Sequence, residues 1–457
     1  MQYSGAVPTA QISPFGARAG SPRPLLLLVL LAASLILSLC ATVLFGRGEA
    51  HVSLYKLSNL VGPTTESLLH GGGLTTCTVD MGTPGNPICF HAGRMPLASM
   101  VVALGICLLG NHFLAVSLFK TVLLLLPLEI AIYLVWLRLP VSRGRQSLAV
   151  LLLVVPFGMT AFLADVVNLQ VEEGYSYSLL ALAVALLFFA VGRSETPSLG
   201  QALLFALAVD GVYLAKSSMA PAAAVLLLGY TVLERHRAPR LLVLLLVLTA
   251  PIGWALHQHH VSGRYSTGTS IDGINLHKAN NPEFLAHYPP PPNDSLDRYD
   301  AELNRGLYFA DEWSFNDFHT HAALAYLVAH PLATLQGDGR KLDMIFFSLH
   351  KSGSSERHGL MLRLETVGFA LFRLILWAAL LGSLYAVIRP ANAPPANGAS
   401  RSQEGPSIRT CSMLFLALVA AAALPYVVGF AFTRHVSILI YPSVLMCCRM
   451  LRRGPAI

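Results

Sequence analysis

The sequence predicts an all-α membrane protein with about ten transmembrane helices and two large segments outside the membrane. Of its 457 residues, 54% are hydrophobic and only 12% are charged, whereas soluble proteins carry about 25% charged residues. The apolar residues form long runs, and lipid forces such runs into helices because it offers no water to the backbone. The composition excludes a soluble enzyme, a disordered chain and a fibrous repeat.

The apolar runs are the candidate membrane spans, since a transmembrane helix needs about 20 mostly apolar residues. The run 25–45 could be a signal peptide, but its apolar core is too long and no clear cleavage site follows, so we expect a retained anchor. The run 96–109 is short and fits an interfacial or re-entrant helix. The other runs are Phe113–Leu137, Ser147–Asp165, Tyr177–Val191, Leu199–Ala215, Met219–Leu233, Leu241–His257, Leu364–Ile388, Cys411–Phe432 and Val436–Met450.

Clusters of basic residues predict the orientation of these spans. If the N-terminus is cytoplasmic, the clusters that follow Leu137, Leu233, Ile388 and Met450 all fall on the cytoplasmic side, as the positive-inside rule requires. The net charge of +7 therefore reflects membrane topology. No nucleic-acid-binding motif accompanies it, so we expect no nucleic-acid partner.

This topology divides the chain into three parts. The N-terminal membrane region, 1–257, includes a first outer segment at 46–95. The second outer segment, 258–362, is long enough for a small subdomain that packs on the membrane face of the bundle. The C-terminal membrane region, 363–457, includes a cytoplasmic linker at 389–410 whose Ala, Pro, Gly and Ser content is typical of a flexible tether.

Cys77 and Cys89 are the two of seven cysteines that lie in a polar segment. Because that segment is predicted to be outside, in an oxidising compartment, the pair is a candidate disulfide. Two free thiols are the alternative. Their spacing matches no standard zinc-binding pattern.

Glu66 and Asp80 are the only carboxylates between residues 51 and 95. Glu66 lies in a stretch that predicts an amphipathic helix, so it could simply face solvent. Asp80 lies between the two cysteines, near the membrane plane. It could act as a general base, help to hold a divalent cation, or only form a turn.

Three cationic or titratable residues mark the outer ends of later spans. Lys216 follows one apolar run, and Arg434 with His435 begins the last one. Such residues either snorkel to the membrane surface or have a functional role. The functional role that suits them is binding of an anionic lipid phosphate.

Several short motifs, in this order, resemble the GT-C class of membrane glycosyltransferases. The similarity is to bacterial relatives of the protein mannosyltransferases and of the lipid A aminoarabinose transferase, and it covers most of the chain. Its pattern "GG-NL-x-x-GNNP" matches best, at Gly273-Ile274-Asn275-Leu276 and Asn280-Asn281-Pro282. The other matches are Glu66 to Leu74, Arg94 to Leu97, Lys216-Ser217-Ser218, and Arg434-His435 with Pro442.

The resemblance implies a bacterial plasma-membrane enzyme that uses a polyprenyl-phosphate-linked sugar as its donor. Transfer would occur on the extracytoplasmic face, to a glycan, lipid or protein acceptor. In that family the catalytic base is an acidic residue early in the first outer loop. Here residues 51–65 contain no carboxylate, so Asp80 or Glu66 would have to serve.

The resemblance also implies a set of residues that bind the substrate. No cofactor is assigned, and a divalent cation could assist near Asp80 and His91. The phosphate partners and other substrate-binding residues would be Arg94, Lys216, Asn275, Lys278, Asn280, Asn281, Arg434 and His435.

Two other functions remain open at the level of sequence. A lipid or solute transporter is one, although the chain has no clear internal repeat of the kind that transporters show. A non-catalytic assembly protein that kept the transferase fold is the other. The missing early carboxylate favours the second of these alternatives.

Overall fold

A computed structural model describes most of the chain, and the described residues are almost entirely helical. The described residues are 24–45, 61–78, 86–139, 143–158, 172–191, 198–286, 299, 302–349, 360–389 and 406–451. Within them are sixteen α-helices and one two-stranded hairpin. The helices are α1 Pro24–Phe45, α2 Val61–Leu69, α3 Pro96–Leu109, α4 Phe113–Arg138, α5 Arg143–Gly158, α6 Glu173–Phe189, α7 Leu199–Ala215, α8 Ala220–Leu233, α9 Arg237–Val247, α10 Thr249–Ser262, α11 Asp272–Ala279, α12 Glu312–Ala329, α13 Pro331–Phe347, α14 Leu360–Ile388, α15 Ile408–Val428 and α16 Ile440–Leu451.

Four stretches of the described chain are long and apolar enough to cross a membrane. They are Phe113–Arg138, Arg237–Ser262, Thr366–Ile388 and Ile408–Val428. Seven further apolar helices have 10 to 17 residues. The prediction of a helical membrane protein therefore agrees with the structure, and within the described residues four of the about ten expected spans meet both criteria.

Helix α6 lies at the centre of the bundle. From Glu173 to Phe189 nearly every side chain is buried, which is expected for a helix that is apolar on all sides. It packs against α4, α7 and α16. The two residues at its N-terminal end, Glu172 and Glu173, are therefore held at one end of the protein interior.

The hairpin lies in the first polar segment. Its strands are β1, Thr76–Thr78, and β2, Ile88–Phe90, which pair antiparallel with Cys77 opposite Cys89. These two cysteines form a disulfide, with their Cα atoms 4.0 Å apart. Phe90 at the end of β2 packs edge-to-face on Phe315 in α12, so the hairpin is attached to the second polar segment.

Glu312 joins the two polar segments. Asp311 caps α12 by accepting hydrogen bonds from the backbone N–H groups of Trp313 and Ser314, and this cap places Glu312 in the first helical turn. The buried carboxylate of Glu312 accepts hydrogen bonds from the backbone N–H groups of His91 and Ala92, at 3.1 and 3.0 Å. Ser270 Oγ donates a third, at 2.6 Å.

Gly273 allows α11 and α12 to pack closely. Its backbone N–H donates to Asn316 Oδ1 at 2.9 Å. A Cβ atom at this position would lie 2.3 Å from the backbone oxygen of Asn316, so any side chain would push the helices apart. This contact gives a physical reason for the glycine in the motif at 273–276.

One sequence-based boundary differs from the structure. The cytoplasmic linker was predicted to be 389–410, but α15 begins at Ile408, so its last three residues are helical because they belong to the first turn of an apolar helix. Residues 390–405 lie outside the described part of the chain.

We predict that Glu312→Ala lowers the stability of the protein by about 3 kcal/mol, because it leaves two buried backbone N–H groups and one hydroxyl without their acceptor. Thermal unfolding in detergent should show a clear fall in Tm. The exposed Glu302 on the same polar segment is the control, and Glu302→Ala should leave Tm nearly unchanged. Equal Tm values for the two variants would contradict the role given to Glu312.

Candidate functional site

The candidate site is a cluster of charged residues where the N-terminal end of α6 meets the C-terminal end of α7. Glu173 is its centre. Lys216, directly after α7, places its Nζ 2.5 Å from Glu173 Oε1. His435 places its Nε2 3.1 Å from the same oxygen. One buried carboxylate therefore connects α6, α7 and the turn that precedes α16.

The hydrogen bonds of His435 define which ring nitrogen carries the proton. The backbone N–H of Phe432 donates to His435 Nδ1 at 3.2 Å, so Nδ1 is an acceptor. The proton of the neutral ring must then be on Nε2, which donates to Glu173. His435 also stacks on the ring of Tyr426, with the centroids 4.2 Å apart.

Lys216 is held by an aromatic side chain as well as by a carboxylate. Its Nζ lies 5.5 Å from the centroid of the Tyr426 ring, within the range of a cation–π interaction. Burial alone would lower the pKa of Lys216, but the negative charges of Glu173 and Glu172 more than offset this effect and the pKa is raised. Lys216 is therefore a cation.

Arg94 and Glu172 form the second ion pair of the cluster. Arg94 follows the hairpin and precedes α3, and its Nη1 donates to Glu172 Oε1 at 2.8 Å. A guanidinium has five N–H donors. Arg94 Nε is buried and has no hydrogen-bond partner among the described residues, whereas the side chain as a whole is 31% exposed.

Asp272 lies beside this cluster, at the start of α11. Its Oδ2 accepts from the backbone N–H of Thr269 at 2.8 Å, and its Oδ1 accepts from Thr269 Oγ1 at 2.7 Å. Ser217 Oγ, next to Lys216 in the chain, donates to Oδ1 at 3.3 Å. Burial raises the pKa of Asp272, although these hydrogen bonds and the charge of Arg94 act in the opposite direction.

Asp272 differs from the other two acids of the cluster in its accessibility. Glu172 and Glu173 are only 5% and 3% exposed, whereas the Asp272 side chain is open to solvent. We call the open space beside Asp272 the cleft. The cluster therefore has a buried part, which holds its shape, and an open part.

The arrangement can bind an anion and accept a proton. Lys216 and Arg94 are fixed cations close to the cleft, and such groups stabilise negative charge that develops on a leaving phosphate. Both cations are already paired with carboxylates, so a phosphate would share them with Glu172 and Glu173. Asp272 is a carboxylate that an acceptor hydroxyl could approach.

Three of the predicted site residues are brought together by the structure, namely Arg94, Lys216 and His435. Asn280 and Asn281 lie at the C-terminal end of α11 instead, where their side-chain amides donate to backbone oxygens. The backbone N–H of Asn275 donates to the oxygen of Ile271 within α11, and Lys278 lies in the last turn of the same helix.

The two residues predicted to be catalytic are not part of this cluster as described. Glu66 lies on α2 and is half-buried. Asp80 falls within residues 79–85, which lie outside the described part of the chain. The side chain of Arg434 is also outside the description. The predicted proximity of Asp80 to Lys216 or Arg434 therefore stays a prediction.

Sequence reasoning did not place Glu172, Glu173, Asp272 or Tyr426 among the site residues. A signal was available for the glutamates, because adjacent acids at the outer end of an apolar run are costly to bury without a partner. Asp272 precedes the motif Gly273-Ile274-Asn275-Leu276 and occupies the position of the first glycine in the resembling pattern. Tyr426 has no comparable signal, since aromatic residues are common within membrane helices.

Comparisons of the chain with protein-family models, with curated proteins and with solved structures find no match in any of the three.

We predict that Glu173→Gln destabilises the protein by about 3 kcal/mol or more, because it leaves the buried cation of Lys216 without its charge partner. The double variant Glu173→Gln/Lys216→Met should recover part of that loss, since both charges are then removed. Thermal unfolding in detergent measures both effects.

The control for this experiment is the solvent-exposed ion pair between Arg264 and Asp317. Asp317→Asn should cost less than about 1 kcal/mol, as is usual for surface pairs. If the double variant were less stable than Glu173→Gln alone, the two side chains would not be acting as a buried ion pair.

Proposed function

We propose that this protein is a membrane glycosyltransferase of the GT-C type, which moves a sugar from a polyprenyl-phosphate-linked donor to an acceptor. The observation that carries the proposal is the cluster of Arg94, Lys216, His435, Glu172 and Glu173 at one end of an apolar helical bundle. Charges in such surroundings are costly, and proteins keep them there mainly where they serve a function. The motif resemblance supports the same function and adds the donor class.

The proposed membrane topology has about ten spans, with the N-terminus in the cytoplasm. The four long helices are supplemented by shorter apolar helices, the longest of which reach about 25 Å at 1.5 Å per residue. The two polar segments, 46–95 and 258–362, would then lie on the extracytoplasmic side. The disulfide between Cys77 and Cys89 supports this orientation, because disulfides persist in oxidising compartments.

In the proposed reaction, the acceptor hydroxyl attacks the anomeric carbon of the donor sugar. The bond from that carbon to the phosphate oxygen breaks, and polyprenyl phosphate leaves. Lys216 and the partly exposed guanidinium of Arg94 stabilise the negative charge of the leaving group. The resemblance assigns the base to Asp80 or Glu66, and neither side chain lies in the described cluster.

A non-catalytic assembly protein is the second candidate. It is favoured by the pairing of Arg94 with Glu172 and of Lys216 with Glu173, because a network of neutralised charges can also serve only to hold helices together. A lipid or solute transporter has no comparable observation in its favour.

The test is sugar transfer by the purified full-length protein in lipid nanodiscs, with radiolabelled polyprenyl-phosphate sugars and extracted envelope lipids and glycans as acceptors. We expect release of polyprenyl phosphate together with a labelled product. We also expect Lys216→Met to lower the rate at least about 100-fold, because it removes a fixed charge beside the leaving group.

Asp317→Asn serves as the folded control for that assay and should retain the wild-type rate. Absence of turnover with every donor, by a protein that is folded and monodisperse, would contradict the proposal and favour the assembly function.

A further inference from the structure

We propose that Asp272 is the catalytic base of this protein, in place of an acid in the first polar segment. The inference rests on the transferase function proposed above. It starts from the positions of three carboxylates around one cleft, of which two are consumed by ion pairs and one is open.

Two of the three acids are buried and paired. Glu173 is in contact with both Lys216 and His435, and Glu172 is in contact with Arg94. A carboxylate that is buried and paired in this way cannot be reached by an acceptor hydroxyl. Among the described acids of the cluster, Asp272 alone is open to solvent.

Asp272 lies near the cations of the cluster. Ser217, which donates to Asp272 Oδ1, is the neighbour of Lys216 in the chain. Arg94 is close enough to act on the charge of Asp272. Glycosyl transfer from a phosphate requires a proton acceptor for the incoming hydroxyl and cations for the leaving phosphate, and this cluster supplies both.

The carboxylate of Asp272 is held in a fixed orientation. Thr269 holds both oxygens of Asp272, one through its backbone N–H and one through its hydroxyl. A carboxylate offers about four acceptor sites, and the described structure uses three of them. The remaining capacity is enough for one acceptor hydroxyl, and the fixed orientation avoids the cost of ordering the base during the reaction.

The sequence also favours Asp272 as the base. The motif resemblance places a glycine where Asp272 stands, and the same resemblance leaves residues 51–65 without the expected acid. The chain thus lacks a carboxylate at one place and has an additional one at another. Burial raises the pKa of Asp272, and a raised pKa makes a carboxylate a stronger base at neutral pH.

In the proposed reaction, Asp272 takes up the proton of the acceptor hydroxyl. As the oxygen of the acceptor hydroxyl forms its bond to the anomeric carbon, its proton passes to Asp272. The bond between that carbon and the phosphate oxygen breaks, and its electron pair leaves with polyprenyl phosphate. The proton on Asp272 is then released to water through the open cleft.

The test compares four variants in the nanodisc transfer assay. Asp272→Asn keeps the size of the side chain and should lower the rate at least about 100-fold, the usual contribution of a general base. Asp80→Asn and Glu66→Gln, the two bases implied by the resemblance, should each retain at least a third of the wild-type rate. Asp317→Asn is the control carboxylate on the same polar segment.

A second measurement separates a base from a structural acceptor. In Asp272→Ala, added sodium formate should restore part of the lost rate, because a small carboxylate can enter the cleft and accept the proton. Thr269→Val, which removes one hydrogen bond to Asp272 but leaves its carboxylate, should lower the rate less than 10-fold. Formate should have no effect on that variant or on the wild type.

The outcomes distinguish this inference from the proposed function. If the wild type transfers sugar and Asp272→Asn does so equally well, the base is elsewhere and the transferase function stands. Loss of activity in Asp80→Asn or Glu66→Gln, with Asp272→Asn active, would return the role to the first polar segment. If Asp272→Asn is inactive but formate never rescues Asp272→Ala, Asp272 is a structural acceptor and the inference is wrong.

Discussion

The contact of Lys216 and His435 with the single carboxylate of Glu173 is the interaction on which the arrangement of the site depends. A charge buried at one end of an apolar bundle must be neutralised locally, because the surroundings cannot solvate it. Satisfying Glu173 brings together three parts of the chain that are distant in sequence. Once these parts meet, Arg94 and Glu172 lie beside them, and the open cleft forms at their edge.

The two polar segments depend on a comparable constraint. Backbone N–H groups that leave a helix or strand must find acceptors when they are buried, and those of His91 and Ala92 find theirs in Glu312. This ties the residues just before Arg94 to the helix that packs on α11. Glu312 also accepts from Ser270 Oγ, so one carboxylate helps to position both Arg94, just after Ala92, and Asp272, just after Ser270.

Sequence patterns predicted the parts of this protein that depend on local composition. The helix that begins at Phe113 follows from an apolar run. The pairing of Cys77 with Cys89 follows from their position in a polar segment that is predicted to be outside. The choice of Lys216 as a site residue follows from the cost of burying a charge. The pairing of Glu173 with Lys216 and His435 could not be predicted, because each charge has several partners of opposite sign in the sequence. Asp272 was passed over because its position beside Ser217 depends on how distant parts of the chain pack.

The central ion pairs have a consequence for the biogenesis of the protein. Helix α6 leaves the ribosome with Glu172 and Glu173 at one end, before Lys216 has been synthesised and long before His435. A charged residue within a segment inserting into the membrane costs about 2.5 to 3.5 kcal/mol at the helix centre and less towards its ends. The ion pair of Glu172 with Arg94 can therefore form as soon as α6 has been made, whereas the contacts of Glu173 with Lys216 and His435 can form only when those later residues have been added.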